Sequence, residues 1–351
     1  MRIVVVGATG NVGTSLLNAL ADEPQVESVL GLARRLPELR MPKTDWVAAD
    51  IVHADLTELF RGADAVVHLA WLIQPGRDRN LLSRVNVEGS SRVFRAVADA
   101  QVPALVYASS VGAYSPGPKN RRVDESWPTN GVPTSFYARH KAEVERRLDR
   151  FEREQPRIRV VRLRPALIFK REAATGIRRL FAGPLLPSPL VAPARIPLVP
   201  DIPGLRFQAV HSLDVGAAYC RALLTDARGA FNVAAEPVLD PATLADVLGA
   251  RRLRAGPRLG RALMDLTFRL HLQPSEPGWL DMGLGVPLMD TTRARTELGW
   301  EPRRRAEDAL RELLGGMAEG AGAPTPPLDP ATSGPMRIRE FLTGVGHKGG
   351  A

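Results

Sequence analysis

A tyrosine and a lysine four residues apart, Tyr137 and Lys141, are the residues of this sequence best suited to acid–base chemistry. At 3.6 residues per helical turn, both would lie on one stripe of a helix, so the lysine would point inward. The same stripe would carry Val144, Leu148 and Phe151. A buried ammonium group would lower the pKa of the Tyr137 phenol from about 10 toward neutrality. The phenol could then take a proton from an alcohol or return one.

A second interpretation of this pair stays open on spacing alone. Lys141 could lay its aliphatic stem across the apolar stripe and place its ammonium group in water. The opposite side of the helix would be solvated, and Glu143 could pair there with Arg147 one turn later. With four Tyr and five Lys in the chain, the spacing arises by chance with a probability of about 0.06. The choice between the two interpretations therefore depends on other motifs in the sequence.

Three glycines near the start of the chain, Gly7, Gly10 and Gly13, separate a predicted strand from a predicted helix in RIVVVGATGNVGTSLLNAL. Glycines at such spacing let the backbone turn tightly and approach a pyrophosphate at the positive N-terminus of the helix. The sequence therefore predicts a dinucleotide site, and the other residues of this loop predicted to contact the cofactor are Thr9, Asn11 and Val12.

The end of the next predicted strand indicates which dinucleotide is bound. An NAD site places a carboxylate there for the ribose 2′-hydroxyl, whereas this chain has Ala33 followed by Arg34 and Arg35. Guanidinium groups bind a 2′-phosphate well, so the sequence favours NADP over NAD. The alternative is that both arginines are solvated loop residues. Asp50, at the end of the third strand, is placed to meet the adenine edge, although an Asp after a strand is common.

Short apolar strands alternate with helix-length segments through the first half of the chain, which predicts a parallel sheet covered on both faces. The fold class is therefore α/β, a Rossmann-type doubly wound parallel sheet with a smaller C-terminal substrate-binding part. We expect the dinucleotide-binding domain at 1–168, with the chain returning to it at 207–235. The substrate-binding part covers 169–206 and 236–318, and 319–351 is expected to be a disordered tail with a short ordered piece near MRIREFL.

Composition narrows the class of protein. The chain has 351 residues, 44% of them hydrophobic, and its single cysteine, Cys220, is expected to be a small buried hydrophobe, so the compartment is predicted to be reducing. The net charge of +9 comes mainly from scattered arginines without an aromatic platform, which argues against nucleic acid. No apolar run is long enough to span a membrane, and no signal peptide is visible, so we expect a cytoplasmic protein with no membrane partner.

Taken in order, these motifs resemble the extended short-chain dehydrogenase/reductase family, which includes nucleotide-sugar epimerases. The resemblance covers residues 1 to about 315, with VHSLDVG and ELGWEP similar to later family signatures. The motif residues are the three loop glycines, Asp50-Ile51, His68-Leu69-Ala70, Asn86, Ser109-Ser110, Tyr137, Lys141 and Arg164-Pro165.

The resemblance implies specific roles. Ser110, with Ser109 as the alternative, would hydrogen-bond the substrate oxygen; Tyr137 would shuttle a proton; and Lys141 would also bind the nicotinamide ribose. Further residues implied at the cofactor are Ile51 beside Asp50, Leu69 and Ala70 in the groove, Pro165 and Leu167 against the nicotinamide, and Asn86 as a cofactor contact or a bridge between helices. Asn86 could equally be a helix cap or a packed amide. His68 is expected to be a core residue, and no metal is predicted.

These roles predict an NAD(P)-dependent dehydrogenase or reductase acting on a small-molecule secondary alcohol or ketone. A dehydratase is disfavoured, because Val111 and Gly112 stand where the family's dehydratases carry an Asp-Glu pair. A nucleotide-sugar epimerase with tightly bound NAD is the alternative, weakened because Phe207 occupies the expected diphosphate position and Arg206 is one residue away. A dinucleotide-binding regulatory protein without turnover is a third possibility.

Several smaller predictions concern the second half of the chain. Residues 184–203 hold seven prolines and predict an extended loop. Its apolar residues Leu185, Leu186, Leu190 and Val191 suggest a lid over the site. Possible anion contacts are Arg171, Arg178 and Arg179, which could also be a basic helix face. The resemblance implies a possible homodimer through the helix that carries Tyr137, although the outward face of that helix is heavily charged.

Overall fold

A computed structural model describes residues 1–73, 77–181, 196–270 and 275–329. The predicted lid residues and the MRIREFL segment lie outside these ranges. The strands are Arg2–Val6 (β1), Ser28–Ala33 (β2), Thr44–Ala48 (β3), Ala65–His68 (β4), Ala104–Ala108 (β5), Arg122–Val123 (β6), Arg159–Pro165 (β7), Leu167–Phe169 (β8), Leu198–Asp201 (β9), Phe207–His211 (β10), Gly229–Val233 (β11), Ala235–Leu239 (β12), Arg251–Arg254 (β13) and Leu288–Met289 (β14).

The α-helices of the described ranges alternate with these strands. They are Asn11–Ala21 (α1), Leu56–Phe60 (α2), Arg79–Ser83 (α3), Gly89–Asp99 (α4), Phe136–Glu154 (α5), Ala174–Phe181 (α6), Ser212–Leu224 (α7), Pro241–Leu248 (α8), Pro257–Arg269 (α9), Gly278–Gly285 (α10), Thr292–Leu298 (α11) and Ala306–Glu319 (α12). A π-helix, Arg84–Glu88, joins α3 to α4, and short 3-10 helices cover Val111–Ala113 and Arg171–Ala173.

Seven of the strands form one parallel sheet in the order β11-β7-β5-β4-β1-β2-β3. The order reverses beside β1, which pairs with β2 on one side and β4 on the other. Apolar clusters cover both faces, one including Val5 and Leu16 and the other Val66 and Leu148. The predicted doubly wound Rossmann-type fold is confirmed, and its switch point lies where the glycine loop follows β1.

The apolar segment RVVRLRPALIF divides into β7 and β8, which belong to different sheets. Pro165 has no N–H to continue a ladder, and the N–H of Ala166 donates to the carbonyl of Val233 over 2.9 Å. Beyond that step, β8 pairs with β10, with Leu167 opposite Ala209. The chain thereby leaves the large sheet for a three-stranded one of β8, β10 and β12.

The C-terminal helices return to the Rossmann core. Trp300 is 2% exposed, and its indole N–H donates to the carbonyl of Asp214 in α7 over 2.8 Å. Leu298 and Leu310 belong to the same apolar cluster as Val5. Residues from about 292 to 318, which the sequence analysis assigned to the substrate-binding part, therefore pack against the dinucleotide-binding half.

The segment expected to be a disordered tail begins inside α12 and continues as ordered chain to residue 329. Thr325 and Leu328 are buried there, and Thr175 Oγ1 donates to the carbonyl of Ala321 over 2.8 Å. Residues 330–351 lie outside the described ranges. Within the ranges described, no helix is both long enough and apolar enough to cross a membrane.

Candidate functional site

Helix α5 carries both Tyr137 and Lys141. Ser135 caps it, because its hydroxyl accepts a hydrogen bond from the N–H of Ala138 over 3.3 Å. The predicted inward stripe is confirmed: Lys141, Val144, Leu148 and Phe151 are buried, and Tyr137 is half-buried. The predicted outward pair also forms, with Glu143 Oε1 2.9 Å from Arg147 Nε.

Tyr137 stands between two indole rings. The ring of Trp71 meets it edge-on at 5.9 Å between centroids, and Trp279 lies on another side at 5.1 Å. Burial raises the pKa of the phenol to about 12, against the opposing effect of a hydrogen bond with Ser110. The structure therefore gives no support to the predicted pKa near neutrality, because burial keeps the Tyr137 phenol protonated at pH 7.

The nearest contacts of Lys141 are with groups other than the phenol. Its Nζ donates to the carbonyl of Ala108 over 2.7 Å and lies 3.5 Å from the centroid of the Trp71 ring. The centroid of the Tyr137 ring is 5.9 Å away. Burial moves the pKa of the lysine well below its usual value, and Glu145 opposes that change. The ammonium group is thus held by a carbonyl and an indole face rather than by Tyr137.

The two serines after β5 point to different partners. Ser110 Oγ accepts from the N–H of Gly112 over 3.0 Å and hydrogen-bonds to Tyr137. Ser109 Oγ instead donates to Glu145 Oε1 over 2.5 Å. The structure brings Ser110, Tyr137 and Lys141 together at the carboxyl end of β5, and it turns Ser109 away from the phenol.

A buried ion network behind this group escaped the sequence analysis. Glu145, which has no exposed surface, lies 2.8 Å from Arg162 Nη1 and 2.9 Å from Arg164 Nε. Arg164 Nη1 also donates to Tyr114 Oη over 3.0 Å. Burial alone would raise the pKa of Glu145, but the two guanidinium groups and Ser109 hold it at about 2. Two sequence signals were available: Glu145 follows Lys141 by one turn, and Arg162 and Arg164 interrupt an otherwise apolar strand.

The glycine loop has the form that a pyrophosphate needs. Gly7 has φ of +87°, and a Cβ there would lie 2.6 Å from the N of Ala70, so only glycine fits. A Cβ on Gly10, by contrast, would meet only the Gly7 carbonyl at 3.5 Å, which leaves open space in front of the loop. No side chain caps the N-terminus of α1, so its first N–H groups remain available to an anion. The predicted contacts Thr9, Asn11, Val12 and Gly13 all lie in this loop or first turn.

A buried lysine that the sequence analysis did not single out lies beside the same helix. Lys170 Nζ is 3.4 Å from Thr14 Oγ1 and 3.5 Å from Ser15 Oγ, so it adds positive charge near the first turns of α1. Burial lowers its pKa, with Glu172 opposing that change at 3.8 Å.

The residues predicted to choose the dinucleotide lie at the ends of β2 and β3. Arg34 and Arg35 directly follow β2 and are exposed, and neither has an ion-pair partner in the described part of the chain. Asp50 is half-buried, and its Oδ1 accepts from the N–H of Val52 over 2.8 Å. Ile51 is buried next to it. All four stand at the same edge of the sheet as the glycine loop.

The remaining predicted contacts fall into two groups. Leu69 and Ala70 follow β4 and are half-buried, while Pro165 and Leu167 stand at the break between β7 and β8. Asn86 has both amide atoms engaged by Leu72: Nδ2 donates to its carbonyl and Oδ1 accepts from its N–H, each over 2.7 Å. The side chain of Asn86 therefore fixes the loop that carries Trp71.

His68 is buried in the sheet, with Nε2 2.9 Å from Ser90 Oγ. Burial and the charge of Lys141 lower its pKa to about 3. Cys220 is likewise buried, in α7. Within the described ranges, no group of three or more His, Cys, Asp or Glu side chains is arranged to hold a metal ion.

Lys119 and Arg206 are neighbouring cations, each of which donates to the backbone carbonyl of the other. Lys119 Nζ donates to the carbonyls of Arg206 and Gly283, each over 2.8 Å, and Arg206 Nη1 donates to the carbonyl of Lys119 over 2.7 Å. Burial and the charge of Arg206 lower the pKa of Lys119 to about 8. Of the predicted anion contacts, Arg171 forms an ion pair with Glu319, and the side chain of Arg179 is outside the described residues.

Comparisons with known proteins agree with this arrangement. The model of the NAD dependent epimerase/dehydratase family matches residues 3–182. An uncharacterized protein of Mycobacterium tuberculosis (strain H37Rv) is 30% identical over 316 residues; the match covers 89% of this chain and 30% of that protein. The chain therefore spans less than a third of that relative's length.

A second uncharacterized protein of the same strain is 27% identical over 348 residues, covering 93% of this chain and 86% of that protein. Among solved structures, UDP-glucuronic acid 4-epimerase from Bacillus cereus in complex with NAD is similar, with a TM-score of 0.66 and 18% identity. The similarity covers 91% of this chain and 99% of the epimerase. At that identity the likeness shows the fold.

Proposed function

The chain belongs to the NAD dependent epimerase/dehydratase family, a family of enzymes, and on that premise we propose that it is an NAD(P)-dependent reductase or dehydrogenase of a secondary alcohol or ketone. The observation that carries the proposal is the grouping of Ser110, Tyr137 and Lys141 beside the carboxyl edge of a parallel sheet whose glycine loop fits a pyrophosphate. The bound nicotinamide would supply or accept the hydride.

The proton chemistry of the chain favours reduction at neutral pH. A phenol whose pKa is raised to about 12 is protonated there, so Tyr137 is ready to donate to a carbonyl oxygen as the carbon gains hydride. Ser110 would hold that oxygen in line by a second hydrogen bond. The positive charge of Lys141, 5.9 Å from the Tyr137 ring, would stabilise the tyrosinate until it regains a proton from solvent.

The surroundings of Tyr137 support an apolar or aromatic substrate. Trp71 and Trp279 stand against its ring. Tyr137 and Trp279 also pack on a cluster that contains Val132 and Met282. Aromatic walls stabilise planar apolar groups through stacking and area burial, whereas a sugar ring needs several polar partners.

Arg34 and Arg35 support NADP as the preferred cofactor, because both are exposed at the end of β2 and can close on a 2′-phosphate. Changing both to Ala should weaken NADP binding about tenfold or more and leave NAD binding nearly unchanged. Isothermal titration of each cofactor measures this difference. Arg40→Ala removes an exposed charge farther from the strand and serves as the control. Equal loss for NAD and NADP would refute the assignment.

The decisive experiment measures whether the purified protein consumes NADPH or NADH in the presence of a panel of ketones, steroids, hydroxy acids and nucleotide sugars. Turnover of a ketone with release of the oxidised cofactor is the expected result. Mass spectrometry of any nucleotide that copurifies provides the second arm. Tightly bound NAD, together with interconversion of a nucleotide sugar and no net NADH consumption, would contradict the reductase.

A nucleotide-sugar epimerase is the second candidate, and the pairing of Lys119 with Arg206 is the observation that favours it. Two neighbouring cations suit a diphosphate, and the similar Bacillus cereus protein is a UDP-glucuronic acid 4-epimerase with NAD. The third candidate is a regulatory protein that binds a dinucleotide without turnover. It would bind the cofactor normally and show neither reductase nor epimerase activity.

A further inference from the structure

Helix α9 and its C-terminal cap residue, Leu270, expose a continuous row of leucines on their outer side. Leu259, Leu263, Leu266 and Leu270 are spaced by four, three and four residues, which aligns them on one helical face. They are 69%, 60%, 53% and 58% exposed. No residue of α9 is buried, and the helix contacts the protein through residues beside this row, since a Cβ on Gly260 would lie 3.4 Å from Ile202. We call these four residues the leucine stripe.

The strand immediately before α9 extends this apolar surface. β13 pairs in parallel register with β9, with Arg251 opposite Leu198 and Leu253 opposite Pro200. Paired residues in a sheet point to the same face, and Val199 of β9 is buried on the other one. The outer face of this ribbon therefore carries Leu198 at 49% exposure and Leu253 at 57%, together with an arginine.

Positive charge surrounds these leucines. Residues 251–270 contain six arginines and one aspartate. Three of the arginines have carboxylate partners: Arg252 with Asp201, Arg261 with Asp281, and Arg269 with Asp265. The other three, Arg251, Arg254 and Arg258, are exposed and have no ion-pair partner in the parts of the chain that the structure describes. The patch is therefore both apolar and strongly cationic.

We propose that residues 251–270, with Leu198, form a docking surface for an anionic phospholipid membrane. Leucines projecting from one side of a helix, flanked by arginines, match a helix that lies in the plane of the interface and inserts only its apolar side. Anionic headgroups would neutralise the unpaired arginines. Such peripheral attachment requires no spanning helix.

The positive charges of this surface disfavour the docking of a second copy of this chain on it. A twofold contact through the leucine stripe would bring the cationic patches of the two copies together. Like charges so juxtaposed oppose association. An anionic membrane, by contrast, can neutralise the arginines with its headgroups and bury the leucines in its interface.

The test is cosedimentation of the full chain with vesicles of phosphatidylcholine containing phosphatidylglycerol, and with vesicles of phosphatidylcholine alone. Binding to the anionic vesicles only is expected. The charge variant is Arg251→Gln, Arg254→Gln and Arg258→Gln; its partition coefficient should fall roughly 100-fold, from the contribution of each arginine near an anionic surface. The apolar variant, Leu263→Gln with Leu266→Gln, should lose about tenfold or more.

The matched control removes three exposed arginines near the end of α5 and just beyond it, Arg150→Gln, Arg153→Gln and Arg157→Gln, and should bind as the wild type does. Circular dichroism and a thermal melt establish that each variant is folded. Three results would overturn the proposal: no binding of the wild type to either vesicle, equal losses in the control and the charge variant, or leucine variants that dissociate an oligomer in light scattering while vesicle binding persists.

Discussion

Helices α5 and α9 are both amphipathic and rich in arginine, yet they use their two sides in opposite ways. α5 buries its apolar stripe against the sheet and takes Lys141 and Glu145 inward with it. α9 buries no residue and, with Leu270 at its C-terminal end, turns four leucines outward. The difference shows that amino-acid composition does not decide which side of a helix is buried.

The largest effect is expected on the inward side of α5. Tyr137→Phe removes the proposed proton donor and should lower kcat about 1000-fold while cofactor affinity and stability stay near wild type. In the oxidation direction, wild-type kcat/KM should rise about tenfold per pH unit well past neutrality, because the phenol must first lose its proton, and the variant should lose this dependence. Steady-state kinetics across pH measures both.

Tyr107→Phe is the matched control for that experiment. The Tyr107 hydroxyl is buried, with no hydrogen-bond partner among the described residues, so its removal should leave kcat unchanged and stability equal or higher. If Tyr137→Phe retained near-normal activity, or if both variants lost it alike, the assignment of Tyr137 would be abandoned.

The next largest effect is expected on stability, when a buried carboxylate and an exposed carboxylate of the same helix are removed in turn. Glu145→Gln leaves Arg162 and Arg164 without their shared carboxylate and should cost about 3–5 kcal/mol in free energy of unfolding. Glu143→Gln, on the solvated side, should cost under about 1 kcal/mol. Urea denaturation measures both changes.

The contribution of Glu145 should also be visible in the pH dependence of stability. The pKa of Glu145 is depressed from 4.5 to about 2, so its contribution is present above pH 4.5 and is lost as pH falls toward 2. That part of the acid transition should be missing from Glu145→Gln. Equal destabilisation by the two Gln variants would mean that the buried network contributes no more than a surface pair.

The smallest expected effect belongs to α9. Leu148→Ala in α5 empties a fully buried site and should cost about 2–5 kcal/mol, whereas Leu263→Ala should change stability by less than about 0.5 kcal/mol. Thermal or urea denaturation of both variants makes the comparison. A large loss for Leu263→Ala would show that the leucine stripe packs within the protein, and the contrast between the helices would fail.

Periodic patterns predicted much of this arrangement. Spacing alone put Lys141 inward and paired Glu143 with Arg147, because a helical face follows directly from 3.6 residues per turn. The strand and glycine pattern likewise predicted the parallel sheet and the loop after β1.

What sequence could not predict depends on partners that are distant along the chain. Trp71 reaches Lys141 from the loop after β4, and this contact accounts for the lysine's distance from the phenol. Glu145 finds Arg162 and Arg164 on a strand that begins after α5 has ended. The break after Pro165 depends on pairing with β10 and β11, which follow some forty or more residues later.

The contact between α1 and α7 has a consequence for shortening the chain. A Cβ on Gly216 would lie 2.5 Å from the backbone of Ser15, and Ser15 Oγ lies 2.9 Å from Ser212 Oγ, so the two helices touch almost backbone to backbone. A fragment ending near residue 182 would keep the glycine loop and Tyr137 but lose both α7 and the edge strand β11. Its uncovered apolar surface and open strand edge would favour aggregation during expression, so the proposed catalytic residues require the second half of the chain for a stable fold.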